Sequence, residues 1–278
     1  MRIEEITDLA PWTALIADVN SDPAFADPNH PGQEEMMNKL RKTMEQQDGK
    51  ILGIYRDDEP AGLFVLLVSE EDRNIEAGVC MTRSAEACEA LVVYLQEKYP
   101  DFQVDFVFNP GNQPLKEMLA QNGAAFDPEQ QYMEMTGETV PADTEGIELL
   151  TDAYYEQYCA LHNKDMFWTG EKTAADPDFF RIFIAVENGQ VAGYLDVTWP
   201  KEKNYIFDLL VAEDSRRRGW GRKLLARAIE MNRPAGMTLD VNVDNEPARH
   251  LYEKMGFTRV EGKNKITATV QMAINNEQ

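Results

Sequence analysis

The sequence predicts an α+β protein made of two tandem domains built to one plan. Three observations carry this: an order of helices and strands that occurs twice, two stretches of direct match between the halves, and a polar segment separating them. Ile54-Tyr-Arg-Asp-Asp-Glu-Pro-Ala-Gly62 recurs as Ala185-Val-Glu-Asn-Gly-Gln-Val-Ala-Gly193, 131 residues on. Asn112-Gln-Pro through Gly123 recurs as Asn245-Glu-Pro through Gly256, 133 residues on. A repeat of that length is a duplicated domain, not a solenoid unit. The segment Gly137-Glu-Thr-Val-Pro-Ala-Asp-Thr-Glu-Gly146 reads as the linker, giving domains 1–140 and 141–278. A chain of 278 residues can bury two substantial cores.

In the first half a helix is expected over about 8–19, a Pro/Asp-rich loop over 21–32 and a helix over about 33–47. Strand signals come next at Ile51–Tyr55 and Gly62–Val68, around a turn at 56–60. Helical spacing returns over Thr82–Lys98. A strand over Gln103–Phe108, a short helix over Pro114–Asn122 stopped by Gly123, and a strand over Gln131–Thr136 complete the half. The second half repeats this order with a helix over Asp152–His162, then a loop containing Phe167-Trp168-Thr169-Gly170 that leads to Asp178–Phe180. Strands are expected at Arg181–Val186, Val191–Thr198, Ile206–Val211 and Thr238–Val243, then a short helix over Glu246–Met255 and a last strand over about Lys265–Met272.

The richest stretch begins at Ile206-Phe-Asp-Leu-Leu-Val211, a short apolar run that suits an interior strand. After Ala-Glu-Asp-Ser come Arg216-Arg217-Arg218-Gly219-Trp220-Gly221-Arg222 and a helix. In it Trp220, Leu224, Leu225, Ala228 and Ile229 recur at helical spacing, until Arg233-Pro234 ends it. Glycines let backbone approach a ligand closely, and the unpaired amides of a helix N-terminus attract anions. Arg216, Arg217, Arg218, Arg222, Lys223 and Arg227 reinforce that charge, with no acid from 215 to 229. The stretch reads as a pyrophosphate cradle; as bare sequence it also reads as a glycine turn before a solvated basic helix face. P-loop spacing is absent. A dinucleotide fingerprint needs a third glycine where Leu224 stands, and Asp240, at a tolerable distance for its ribose acid, lies inside a strand-like run.

Charge narrows the partners. The net charge is −22, with 10 Lys and Arg against 27 Asp and Glu in residues 1–140 and 17 against 22 in the remainder. Such a surface repels a phosphate backbone, which excludes nucleic-acid binding, and its field favours a cationic acceptor. No apolar run spans a bilayer and the first residues carry acids where a signal peptide needs a hydrophobic core. The three cysteines form no Cys-x-x-Cys and the three histidines show no metal-ligand spacing. A cytoplasmic protein with no metal and no membrane span is expected.

A second motif stands downstream: Asn245-Glu-Pro-Ala248-Arg-His-Leu-Tyr252-Glu-Lys254-Met-Gly256-Phe257. Asn245 is a good N-cap, Pro247 suits a first turn and Gly256 is a stop. The first half lacks the chemistry of both motifs. With an offset of about 132, Arg216-x-x-Gly219-x-Gly221 falls on Ser84-x-x-Ala87-x-Glu89, which sets Glu86 and Glu89 where a pyrophosphate would lie, and Tyr252 falls on Leu119.

Together the two motifs resemble those of the GNAT superfamily of acyl-CoA-dependent N-acyltransferases. The pyrophosphate motif is matched at Arg216, Gly219 and Gly221, and the later motif from Asn245 to Phe257. The resemblance covers residues 147–272, with 1–136 a degenerate copy, and implies in each domain a mixed central sheet flanked by helices. It further implies that acetyl-CoA is the cosubstrate and transfers its acetyl group directly to an amine. Arg216, Arg217, Arg218, Gly219, Trp220, Gly221 and Arg222 would hold the pyrophosphate. The backbone of Leu209, Leu210 and Val211, on a strand that splays from its neighbour, would contact the pantetheine and thioester, and Asn245 completes the cofactor set. Tyr252 would protonate the leaving thiolate. Asp208 first, and Asp196 second, are the carboxylates that could deprotonate or attract the amine. Trp199 and the loop Met166–Thr169 match acceptor-lining regions. By charge the acceptor is a small or peptide primary amine of polyamine or amino-sugar type. The N-terminal domain is expected to buttress the active one or close over its cleft. A non-catalytic acyl-CoA-binding or regulatory module, and transfer to a protein amine, stay open as alternatives.

Overall fold

Each half of the chain builds a hairpin closed by two residues in the left-handed region, Asp57-Asp58 in one (φ 49° and 67°) and Asn188-Gly189 in the other (φ 51° and 76°). That pair of conformations matches the twist of the strands it joins, and Asn-Gly adopts it at little cost. In this computed structural model, which describes residues 1–137, 142–164 and 168–273, a seven-stranded sheet grows around each hairpin.

The first unit holds strands β1 (Arg2–Glu5), β2 (Gly49–Arg56), β3 (Glu59–Ser69), β4 (Asn74–Thr82), β5 (Gln103–Phe108) and β6 (Ala125–Phe126). Its helices are α1 (Thr13–Asn20), α2 (Gln33–Met44), α3 (Ala85–Lys98) and α4 (Gln113–Gln121). The sheet order is β1-β2-β3-β4-β5-β14-β6, where β14 is Ile266–Gln271. Leu91 and Leu95 of α3 and Leu115 of α4 fill a core that also takes in Phe64, Phe106 and Val270. Trp12, Ile16, Met36 and Leu40 form a second core with Ile51, Leu63 and Val79.

The second unit comprises β7 (Gln130–Met135), β8 (Ile147–Leu149), β9 (Phe180–Glu187), β10 (Gln190–Thr198), β11 (Lys203–Val211), β12 (Gly236–Asn242) and β13 (Phe257–Arg259). Helices α5 (Tyr155–Leu161), α6 (Gly170–Ala174), α7 (Trp220–Asn232) and α8 (Glu246–Lys254) accompany them. The order β13-β7-β12-β11-β10-β9-β8 reproduces that of the first sheet strand for strand. Leu224, Leu225 and Ile229 of α7 pack with Tyr252 of α8 and Met255 just after it on Phe183, Leu195 and Val197. Tyr158 of α5 packs with Ile182, Ile184 and Tyr194, the residues that alternate with those on the same strands. Both sheets are mixed and flanked by helices, the α+β architecture expected.

The compact units do not divide at 140/141. They are 1–131 with 261–278, and 132–260. The sixth place in each sheet is filled from the other half of the sequence. Gln130–Met135 joins the second sheet beside β13, and Ile266–Gln271 joins the first, antiparallel to β5 from Gln103 to Phe108. The expected linker Gly137–Gly146 lies partly outside the described residues.

Several element bounds also differ. β4 is absent from the sequence-based expectation because Glu76 and Gly78 interrupt its apolar run. The helix expected from Thr82 starts only at Ala85, where the Ser84 hydroxyl accepts from the Ala87 amide. Ala10–Trp12 and Asp152–Tyr154 are 3-10 turns ahead of α1 and α5. Among the described residues no helix is long and apolar enough to cross a membrane.

β14 buries Ile266 and Val270, and Met272 just beyond it is buried too, worth about 1.5–3 kcal/mol each. Their sum is comparable to the whole stability of a domain. Truncation after Val260 is therefore expected to remove hydrogen-exchange protection from β2–β5 while β9–β12 keep theirs; equal protection of β2–β5 in the truncated chain would contradict the sheet assignment.

Candidate active site

The site starts from a pairing that stops. β11 runs parallel to β12 from Lys203 with Gly236 to Ile206 with Leu239, and among the described residues the ladder goes no further. On its other edge β11 stays paired with β10 from Gly193–Val211 to Asp196–Asp208. One edge of Leu209, Leu210 and Val211 thus lacks a neighbouring strand in a gap that opens toward the end of β11, as the splayed strand requires. At Phe207 the register slips: Asp196 faces Asp208, but Val197 faces Ile206. This bulge adds one residue to β11 and re-aims the side chains beyond it.

The chain leaves β11 through a short turn and enters α7. The Nε of Arg216 donates to the Val211 carbonyl at 3.0 Å. Arg217 and Gly219 take left-handed φ values of 66° and 88°. Gly219 is the N-cap and no side chain caps the helix. A Cβ on Gly219 would meet nothing within 4 Å, so glycine serves the backbone conformation and leaves open space above the turn. A Cβ on Gly221 would lie 3.2 Å from Leu251 and 3.7 Å from Leu209, where α8 and β11 converge. The first helical bond runs from the Lys223 amide to the Gly219 carbonyl, so the amides of Gly219, Trp220 and Gly221 have no intrahelical acceptor.

The basic island is partly committed. Arg218 pairs with Glu187, Lys223 with Asp143 at 2.5 Å, and Arg227 with Glu230 at 2.8 Å. Arg216, Arg217 and Arg222 are all exposed around the turn. The Trp220 ring lies against Gly146 and packs on the core, so its side chain serves the fold. Asn245 caps α8, accepting from the Ala248 amide at 3.2 Å. Tyr252, on the same helix, is 7% exposed. Burial, then the nearby Asp208 charge, push its phenol well above the ordinary tyrosine range, so it holds its proton at neutral pH.

On the α5 face of the sheet lies a polar cluster that the sequence announced only at Asp208 and Asp196. Tyr194 donates to Asp208 Oδ2 at 2.5 Å. Asp196 is 1% exposed. Its Oδ2 accepts from the Tyr158 hydroxyl at 2.9 Å and lies 2.9 Å from His162 Nε2. Asp196 is thus sealed and engaged, which removes it as a second candidate for direct contact with the amine, whereas Asp208 is only half-buried. His162 Nδ1 lies 2.9 Å from the Asn163 carbonyl, and the imidazole stacks on the Tyr194 ring at 4.8 Å. Alternation along β10 sets Tyr194 and Asp196 on one face, a usable signal; nothing local marked Tyr158 or His162.

Of the expected acceptor loop, Met166 and Phe167 lie outside the described residues. Trp168 stands 6.3 Å from Phe207 and 5.0 Å from Phe180, in an aromatic group whose Phe207 precedes Asp208 on β11. Trp199 is stacked under Arg181 at 3.6 Å. Asp240 accepts from Tyr205 at 2.8 Å.

The first unit shows the same frame without these features. β4 pairs with β5 only over Asn74–Ala77, repeating the four-residue parallel ladder. Matching the helix caps places Ser84 at the position of Gly219 and Glu86 at that of Gly221, which corrects the expected alignment on Ala87 and Glu89. Arg56 binds both Ser84 and Glu86, at 3.0 and 2.5 Å, so a carboxylate of the chain already sits at the start of α3. Leu119 is fully buried at the place of Tyr252.

Burial is the largest influence on Asp196 and lifts its carboxyl above the usual range. Burial pulls His162 down, yet its bonds to Asp196 and the Asn163 carbonyl outweigh that, and it titrates above its ordinary 6.5. Folding therefore tightens the proton on this pair. The stability so gained is complete below pH 6.5, where the unfolded imidazole is also charged, and is lost as pH rises through the folded value. Thermal unfolding from pH 6 to 9 is expected to show Tm falling by a few degrees, with the dependence flattened in His162→Gln.

Residues 145–257 match the model of the acetyltransferase (GNAT) family. The L-amino acid N-acetyltransferase AaaT of Escherichia coli K12 is 33% identical over 122 residues, 40% of this chain and 74% of that protein. The curated relatives matched are covered over 44–74% of their own lengths. A GCN5-related N-acetyltransferase structure from Sphaerobacter thermophilus aligns over 100% of this chain and 97% of its own, with a TM-score of 0.64 at 16% identity. A tandem GNAT protein from the clavulanic acid biosynthesis pathway aligns over 99% and 100%, with a TM-score of 0.57 at 13% identity. The fold is shared with both, and the chain belongs to the GNAT acetyltransferase family.

Proposed function

We propose that the second unit transfers an acetyl group from acetyl-CoA to a primary amine by direct attack. The observation that carries the reading is the continuity of two features: the unpaired edge of β11 beyond Ile206 leads directly into the glycine-capped start of α7. An extended pantetheine suits a strand edge with free peptide groups, and a diphosphate suits helix amides. Arg216, Arg217 and Arg222 add positive charge around the turn, and Gly219 leaves room for close approach.

In the reaction proposed, the ammonium of the acceptor is drawn to Asp208 and gives up a proton there, directly or through water. The neutral amine nitrogen attacks the thioester carbonyl carbon, a C–N bond forms, the nitrogen gives up its second proton to water, and the C–S bond breaks. Tyr252, kept protonated by burial, gives its proton to the departing thiolate and recovers one from solvent. The amino-acid acceptor named for the Escherichia coli relative, and the acidic surface of this chain, support a small cationic amine. The first unit, with Glu86 and Leu119 at the corresponding positions, takes no part in the chemistry.

Release of free thiol with a panel of amines, with product masses read by mass spectrometry, tests this. Turnover is expected with at least one primary amine, and Tyr252→Phe should lower kcat about 10²-fold or more while acetyl-CoA binding is unchanged. Binding of acetyl-CoA with no turnover on any amine would make the unit a binding module instead; full turnover in Tyr252→Phe would remove the acid role.

A further inference from the structure

A carboxylate that accepts a proton in one step of a reaction needs a fixed direction and a fixed affinity for that proton. Asp208 sits one residue past the bulge on β11, half-buried, where its side chain has only one hydrogen bond from a side chain among the described residues, from Tyr194. The Tyr194 hydroxyl is itself held on two sides: it accepts from the Asn163 amide at 3.2 Å and donates to Asp208 Oδ2 at 2.5 Å. Its ring is clamped between His162, stacked at 4.8 Å and 14°, and Tyr158, edge-on at 5.3 Å. Those two side chains are in turn fixed by a single atom, Asp196 Oδ2, at 2.9 Å from each.

Among the described residues the titratable groups around Asp208 are these. Tyr194 and Asp196 face it from β10, His162 from the end of α5, and Tyr252 from α8. His162 has an acceptor at each ring nitrogen, the Asn163 carbonyl and the Asp196 carboxylate. Both contacts favour the doubly protonated imidazolium, whose charge offsets that of Asp196. Asp208 has the Tyr194 phenol aimed at it.

Resting on the reading of Asp208 as the base, we propose that Tyr194 is its positioning residue, and that the buried Tyr158–Asp196–His162 cluster acts through Tyr194 and not on the substrate. Removing the Tyr194 hydroxyl takes away the side-chain hydrogen bond that fixes the direction of the Asp208 carboxylate. In Tyr194→Phe kcat is then expected to fall about tenfold, with the KM for acetyl-CoA changed less than about twofold, since Tyr194 packs on the α5 face of the sheet and α7 on the other. His162→Gln should lower kcat the same way, by about threefold. The double variant should do no more than Tyr194→Phe alone, because both act on one bond.

A purely structural role would lower Tm and leave kcat of the folded enzyme unchanged. An unchanged kcat in folded Tyr194→Phe, or effects of the two substitutions that multiply, would overturn the proposal. Should Tyr194→Phe not fold, His162→Gln decides alone, and an unchanged kcat there overturns it equally. Asp208→Asn separates the two readings. If Asp208→Asn keeps full turnover, the assignment of the base fails. If it loses turnover while Tyr194→Phe keeps it, only the positioning role fails.

Discussion

The parallel ladder between β11 and β12 ends after four residues, and the candidate site of the second unit is arranged around that ending. A strand inside a sheet normally has both edges satisfied, and an unpaired interior edge is costly unless another group takes its place. Here the uncovered peptide groups face a gap whose far end is the first turn of α7. The sequence at that turn is chosen for backbone geometry: Arg217 and Gly219 bend the chain through left-handed conformations so that the helix amides come free. The bulge at Phe207 then decides which face Asp208 shows. Strand edge, helix start and carboxylate are one arrangement.

The first unit isolates what the fold alone provides. Its β4 and β5 also part after four paired residues, so the splay belongs to the scaffold and does not by itself make a site. The difference is chemical. Ser84 supplies the side-chain cap that Gly219 withholds, and Glu86 with Arg56 fills the start of α3 with an internal ion pair. A helix start that has satisfied its amides and recruited a carboxylate has little left to offer a phosphate.

Elements whose signals are local were legible in the sequence. The turn at 56–60, the Asn245 cap and the α7 periodicity all rest on residues close together in sequence, and the structure keeps them. Features that depend on distant partners were not legible. Nothing in Gln130–Met135 or Ile266–Gln271 says which sheet each will join, because a strand's alternation names a face and not a neighbour. The basic island looked uniformly available since the acids that bind it, Glu187 and Asp143, lie far off in sequence. β4 was hidden because Glu76 and Gly78 break an apolar run, although the repeat with β11 could have exposed it. Of the polar cluster, Asp208 was visible as an acid in an apolar strand, whereas His162 and Tyr158 acquire meaning only once α5 lies over β10.

Asp196 and Asp208 occupy directly opposed positions on antiparallel strands, a placement in which like charges destabilise a sheet. Burying Asp196 adds a desolvation cost that its attraction to His162 offsets only in part, and well-packed apolar residues of similar size would serve stability as well or better. The chain nonetheless spends three buried polar side chains, Tyr158, His162 and Asp196, on this spot, and leaves Asp196 Oδ1 without a partner among the described residues. The arrangement makes physical sense if its product is the other carboxylate. By pairing with His162, Asp196 has its charge offset, and by gripping Tyr158 and His162 it fixes the ring whose hydroxyl reaches Asp208. A sheet that needed only to be stable would have no use for the opposed pair, whereas the proposed role of Asp208 needs a carboxylate with a fixed direction.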